Sequence, residues 1–204
     1  MSASEIRAIA ALPVERWRNG GGVTRTIASG GSGECHWRIS LAEVERNGPY
    51  SRFEGIARQS LVLRGGGVVL REKSTVVTLE PFEALEYDGD ANWNATLIDG
   101  PVTALNVMTT KGRYRVSIRA IVEPLIVQPG CPIAALALHG ACAWNEPTGE
   151  ASGEIAAGQF LIADCLDRAM RFSPTTPAAA PDNKHTEEQQ FPVLVTIRSA
   201  GAHE

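Results

Sequence analysis

The sequence contains no uninterrupted apolar run near the roughly 20 residues that a membrane-spanning helix needs. Its start, MSASEIRAIAALPVERW, puts Glu5 and Arg7 where a secretory leader would carry a basic stretch and then an apolar one. A cytoplasmic protein with no membrane partner is therefore expected. Basic charge is also in short supply: 19 Lys and Arg against 23 Asp and Glu leave a net charge of −4. Phosphate backbones are gripped by clustered Lys and Arg, and the arginines here are scattered, so no nucleic-acid partner is expected. The 4 cysteines, Cys35, Cys131, Cys142 and Cys165, form no C-x-x-C pair and read as reduced, partly buried thiols. The 4 histidines, His36, His139, His185 and His203, include no pair at metal-ligand spacing, so neither a metal nor another cofactor is expected. There is no G-x-S-x-G elbow to present a nucleophile. Long helical periodicity is scarce.

What is present is period-2 alternation. HWRISLAEV sets Trp37, Ile39 and Leu41 against Arg38, Ser40 and Ala42, as a strand with two distinct faces. SLVLRGGGVVLRE reads as two strands joined in a hairpin by Gly65, Gly66 and Gly67, and further strands follow through STVVTLEPFEALEYDGD, NATLIDGPVTALNVMTT and RYRVSIRAIV. The second half repeats the first. LVLRGGGVV answers to LALHGACAW, VTLEPFEAL to GEIAAGQFLI, and VTALNVM to FPVLVTI. Two similar sets of short strands predict an all-β protein, a double cupin of two jelly-roll β-barrels in one chain. The modules are expected at 1–120 and 121–204, packed as one compact unit. SPTTPAAAPDNKHTEEQQ reads as a loop of the second module.

ERWRNGGGVTRTIASG places Gly20, Gly21 and Gly22 directly after Asn19. No Lys-Ser/Thr pair follows, which excludes a P-loop. Two readings stay open: a bend feeding a strand, or backbone amides and the Asn19 amide converging on a small anion. Arg38 and Ser40 share one strand face, which looks either into a cavity or into solvent. NGPYSRFEGIAR is rich in turn residues and ends at Arg58, whose guanidinium matches a carboxylate through two parallel hydrogen bonds. Asn106 and Met108 alternate with Leu105 and Val107, so a polar and a soft apolar group share a face. Glu43 and Glu45 read as a charged outer edge.

WRNGGGVTRTIA, WRISLAEVERNGPYSRFEGIAR and GPVTALNVM together resemble the HutD/Ves family of cupin-superfamily proteins, densely in the first half and more weakly along the whole chain. The chain departs from that family's pattern at Thr26 and Ala104, where acidic residues are usual, and at Thr110 and Lys111, where an arginine is usual. The resemblance implies a bicupin associated with histidine utilisation that moderates the pathway by binding an intermediate such as urocanate or a formylated amino acid. It carries no established catalytic activity. The expected partner is a small carboxylate held by Arg38 and Arg58. Asn19, Gly20, Gly21, Gly22, Ser40, Ser51 and Asn106 are expected to donate hydrogen bonds, and Trp37, Phe53 and Met108 to form an apolar wall. A metal-independent isomerase or hydrolase is the alternative, and a homodimer is left open.

Overall fold

A computed structural model describes residues 4–175 and 191–201. Most of the segment 173–190, read above as a loop, lies outside the described residues, as do His185 and His203. Alternation yields strands almost throughout, with one short helical turn at Ile9–Ala11. In chain order the strands are β1 (Glu5–Ala8), β2 (Glu15–Arg16), β3 (Gly22–Ser32), β4 (Cys35–Val44), β5 (Gly48–Pro49), β6 (Ile56–Arg64), β7 (Val68–Glu72), β8 (Thr75–Leu79), β9 (Leu85–Asp88), β10 (Asn94–Leu97) and β11 (Val102–Thr110). They continue as β12 (Tyr114–Ala120), β13 (Leu125–Val127), β14 (Ile133–Ala137), β15 (Cys142–Asn145), β16 (Ser152–Ile155), β17 (Gln159–Ala163), β18 (Met170–Pro174) and β19 (Val193–Ser199).

The chain divides into two compact units: Leu12–Tyr114, and Met1–Ala11 together with Arg115–Glu204. This differs from the expected boundaries of 1–120 and 121–204, because β1 leaves the N-terminal module and pairs antiparallel with β17. Burial of Ile9 and Leu12 flanks the crossing point.

The first unit holds a six-stranded sheet in the order β2-β3-β4-β11-β6-β9 and a four-stranded sheet β5-β10-β7-β8. The second holds a five-stranded sheet β1-β17-β14-β19-β12 and a four-stranded sheet β13-β18-β15-β16. Laid over one another, β9-β6-β11-β4 corresponds to β17-β14-β19-β12, and β5-β10-β7-β8 to β13-β18-β15-β16. The sequence repeat is thus a repeat of strand order.

In the first unit Ala42, Val44, Val62, Val102 and Ala104 of the larger sheet meet Val68, Leu70, Leu79 and Ala95 of the smaller one. In the second, Ile133, Ala135, Leu161 and Leu194 meet Cys142, Ile155, Met170 and Phe172. Each fully buried aliphatic side chain of this kind contributes about 1.5–3 kcal/mol, and this apolar layer holds each pair of sheets face to face.

The expected hairpin at residues 65–67 is not one. β6 belongs to the six-stranded sheet and β7 to the four-stranded sheet, so the glycines carry the chain between layers. They do so at close quarters: a Cβ at Gly65 would stand 2.5 Å from the carbonyl oxygen of Pro101, and one at Gly66 2.5 Å from that of Ile98. The β14 to β15 step makes the same change of sheet through residues 138–141, where Gly140 stands in the place of Gly65.

Candidate ligand-binding site

Register decides which side chains share the interior of the first unit. Arg38, Met108 and Arg58 lie side by side on β4, β11 and β6, and Tyr87 follows on β9. Ser40, Asn106 and Ser60 form the next row, and Ala42, Ala104 and Val62 the one after. Because strand side chains alternate between faces, all three rows look toward the sandwich interior. The apolar row joins the core, while the two polar rows open into a cavity of about 180 Å³. That is the liquid volume of about six waters at roughly 30 Å³ each, below the roughly 300–1,000 Å³ of drug-sized pockets. A small metabolite fits.

The segment after β5 closes the cavity. Tyr50, Ser51 and Phe53 line it, and they are fastened to the turn at 88–93 by backbone bonds from Tyr50 N–H to the Trp93 carbonyl (2.9 Å) and from Phe53 N–H to the Gly89 carbonyl (2.8 Å). Gly55 N–H donates to Asp90 Oδ1 at 2.9 Å and Arg52 Nε to the Asp90 carbonyl at 2.7 Å. The Lys111 ammonium bridges Asp88 and Asp90. Its hydrogen bonds hold both carboxyls below the usual Asp value, and they in turn raise the Lys111 pKa.

Arg58 is the unusual group. Its residue is 6% exposed, and its guanidinium carbon stands 5.0 Å from the Tyr87 ring centroid, 5.2 Å from Tyr50 and 5.7 Å from Phe53. Phe53 also faces the guanidinium of Arg38 at 5.7 Å. Rings attract cations through their quadrupoles, but they neutralise no charge. Among the described residues no carboxylate lies within ion-pair distance of either arginine, and the buried Nε of each has no hydrogen-bond partner. Arg38 reaches only the thioether of Met108, Nη2 to Sδ at 3.2 Å. Burial pushes the Tyr50 phenol well above its ordinary pKa, with Tyr87 adding to the shift and Arg58 opposing it. The Tyr50 phenolate therefore does not form near neutral pH to balance the arginines.

Below the arginines the polar row is ordered by donors. Ser60 Oγ lies 2.5 Å from Asn106 Oδ1 and 3.0 Å from Tyr87 Oη. A carbonyl oxygen accepts only, so the single Ser60 proton goes to Asn106 and Tyr87 donates to Ser60. With Oδ1 toward Ser60, the Asn106 Nδ2 donors are left for the cavity, which Asn106 lines.

Of the residues expected at the site, Arg38, Ser40, Ser51, Phe53, Arg58, Asn106 and Met108 come together around the cavity. Asn19, Gly20, Gly21, Gly22 and Trp37 do not line it. Asn19 accepts from Gly21 N–H of its own turn at 2.9 Å and donates to the Pro49 carbonyl of β5 at 2.9 Å. A Cβ at Gly22 would fall 2.2 Å from the Glu43 carbonyl oxygen, so that glycine lets β3 close on β4. Trp37 is on the opposite face of β4 from Arg38 and lies against Gly30, lining a shallower depression that shares Arg38, Phe53 and Met108 with the cavity. Sequence reasoning missed Glu15, Arg16, Trp17 and Thr24, which line the cavity, and the supporting pair Ser60 and Tyr87. Ser60 was within reach, being two residues from Arg58 on one strand face. Glu43, read as an outer edge, pairs with Arg25.

Among the described residues no three His, Cys, Asp or Glu side chains are grouped to share a metal ion, and no helix is long and apolar enough to cross a membrane.

An all-β fold with cupin-like neighbours among solved structures, and a small cationic cavity inside one of its sandwiches, define the class. A sequence model of the HutD family matches residues 9–175, and the chain belongs to that family. It is 36% identical to Protein Ves of Citrobacter koseri over 112 residues, 53% of this chain and 59% of that protein. It is 35% identical over 104 residues, 48% of this chain and 54% of the relative, to an uncharacterised 21.2 kDa protein in the hutC 3′ region of Pseudomonas putida. The chain thus spans less than two thirds of the length of these curated relatives. The structure of HutD from Pseudomonas fluorescens SBW25 superposes with a TM-score of 0.75 at 20% identity, covering 97% of this chain and 99% of that one.

Proposed function

We propose that the chain is a double cupin whose first barrel binds a small carboxylate and thereby moderates histidine utilisation in the cytoplasm. The observation that carries this reading is the buried Arg58 guanidinium, ringed by three aromatic side chains and lacking any acidic partner among the described residues. An uncompensated buried charge is costly, and an anionic ligand removes the cost. A carboxylate takes two parallel hydrogen bonds from Arg58 and a further contact from Arg38. The Asn106 amide and the Ser40 and Ser51 hydroxyls orient it, while Phe53, Tyr50 and Met108 exclude water and so strengthen the pairing. The pathway assignment rests on family membership and on the hutC-region relative; urocanate and N-formylglutamate are the two candidate intermediates.

A thermal-shift titration with those two compounds tests this reading. A ligand at 100 times its Kd stabilises the folded state by about 2.7 kcal/mol, and each kcal/mol moves the melting temperature of a chain this size by about 2–4 °C. A rise of about 5–10 °C with at least one of them is expected. No rise with either compound, nor with other small carboxylates at millimolar concentration, refutes it.

A further inference from the structure

Two neutral hydrogen-bond donors in the cavity are aimed by fixed partners. One is the Asn106 amide, whose Oδ1 is engaged by Ser60. The other is Thr24. It stands opposite Ala42 of β4, in register with the inward-facing rows, and it lines the cavity. The Trp17 indole Nε1 donates to its Oγ1 at 2.8 Å. Trp17 is held in turn by the Tyr50 ring, edge to face with centroids 5.8 Å apart, and by its backbone N–H bond to the Gly22 carbonyl at 3.0 Å. An indole N–H only donates, so the Thr24 hydroxyl is the acceptor in that bond and its one proton is directed elsewhere. Among the described residues nothing accepts that proton. Glu15 and Arg16, which also line the cavity, are exposed on the edge strand β2.

We infer that Thr24 is a ligand-binding residue positioned by Trp17, and that the site selects a carboxylate carrying a second hydrogen-bond acceptor, such as a ketone or acyl oxygen, over its plain alkyl counterpart. This deepens the carboxylate reading above and rests on it. The ligand's carboxylate meets the guanidinium of Arg58, and its second acceptor takes the proton of Thr24 or an Nδ2 hydrogen of Asn106. A plain alkyl chain in the same place displaces the water that would serve those donors and gives them nothing in return. Donors left unmade in an enclosed site discriminate against the ligand that leaves them so. The indole of Trp17 acts through Thr24: by occupying one lone pair it keeps the hydroxyl from turning away from the ligand.

The test titrates two oxo acids, 4-oxopentanoate and 5-oxohexanoate, and their parents pentanoate and hexanoate, by calorimetry into the wild-type protein, Thr24→Val, Trp17→Phe and Arg58→Met. The wild type is expected to bind at least one oxo acid about fivefold or more tightly than its parent. Thr24→Val keeps the branched shape without the hydroxyl and should bring that ratio to about twofold or less, chiefly by weakening the oxo acid. Trp17→Phe keeps a ring but leaves the Thr24 hydroxyl free to turn, and should lower the same ratio. A merely structural role for either residue would shift oxo acid and parent alike. Arg58→Met should weaken all four together. Oxo acids and parents binding the wild type equally, with Arg58 still required, overturns the inference and leaves the carboxylate site standing. An unchanged ratio in Thr24→Val also overturns it, and an unchanged ratio in Trp17→Phe overturns the positioning role. If none of the four acids binds, the carboxylate site and the selectivity fall together.

Discussion

Replacing Arg58 by methionine should separate binding from stability. Methionine keeps an unbranched stem of similar reach but removes the guanidinium. In the ligand-free protein that cation is 6% exposed and faces three rings at 5.0–5.7 Å. Each ring contributes about 0.5–1 kcal/mol of attraction, whereas leaving a charge buried without its partner costs about 3–5 kcal/mol. The balance predicts that Arg58→Met is as stable as the wild type without ligand, or more stable by up to about 3 kcal/mol. Binding should move the other way. Loss of one partner from a buried charged pair costs about 2–5 kcal/mol, which weakens affinity roughly 30-fold to several thousand-fold at 1.4 kcal/mol per decade. Melting curves of both proteins with and without a saturating carboxylate give both quantities. A variant that melts several degrees lower while binding unchanged would show Arg58 to be a structural group, and the reasoning would fail.

Ser60→Ala leaves Asn106 Oδ1 without its donor and Tyr87 without its acceptor in a buried place. It should lower stability by about 1–3 kcal/mol, read as a drop in melting temperature, and weaken carboxylate binding by freeing the amide to flip. Gly22→Ala forces a methyl to 2.2 Å from the Glu43 carbonyl oxygen. It should destabilise by about 1–3 kcal/mol or more through the parting of β3 from β4, visible in denaturant unfolding; a neutral outcome would contradict the close-approach account of the glycine triplet. Lys111 depresses the pKa values of Asp88 and Asp90. Their contribution to stability is present above the unfolded Asp pKa of about 3.9 and is lost as pH falls through their lower folded values. Lys111→Met should therefore lose less stability than the wild type between pH 7 and pH 2, by denaturant melts at each pH.

How far the sequence could be read depended on range. Alternation in HWRISLAEV correctly separated Arg38 and Ser40 from Trp37 and Ile39, because the period of a strand is local. Alternation cannot say which sheet a strand joins, and so residues 65–67 looked like a hairpin while in fact changing layers. The repeat was visible because both halves use the same order of strands, but the loan of β1 to the other unit is a long-range pairing without a local signature. At the site, Arg38, Arg58, Asn106 and Met108 were named through the family resemblance, and register carries them into one row or the next. Asn19 and the glycines do not line the cavity: the Asn19 amide is engaged by Gly21 N–H within its turn and by the Pro49 carbonyl of β5, a long-range partner that nothing nearby in sequence announces. Trp37 was taken for a wall residue together with Arg38, although alternation puts the two on opposite faces of β4. Glu15 and Tyr87 enter the site from edge strands, where nothing nearby in sequence marks them.

A crystal of the protein soaked in 3-bromopropionate gives the most direct answer, since anomalous scattering locates the bromine and the density locates the carboxylate. The expected result is a carboxylate inside the cavity of the first unit, its oxygens about 2.7–2.9 Å from the Arg58 guanidinium nitrogens and its bromine clear of Arg58. A cavity that stays filled with solvent at full occupancy of Arg58, with bromine found only on the outer surface, would contradict the claim that this guanidinium is an anion site.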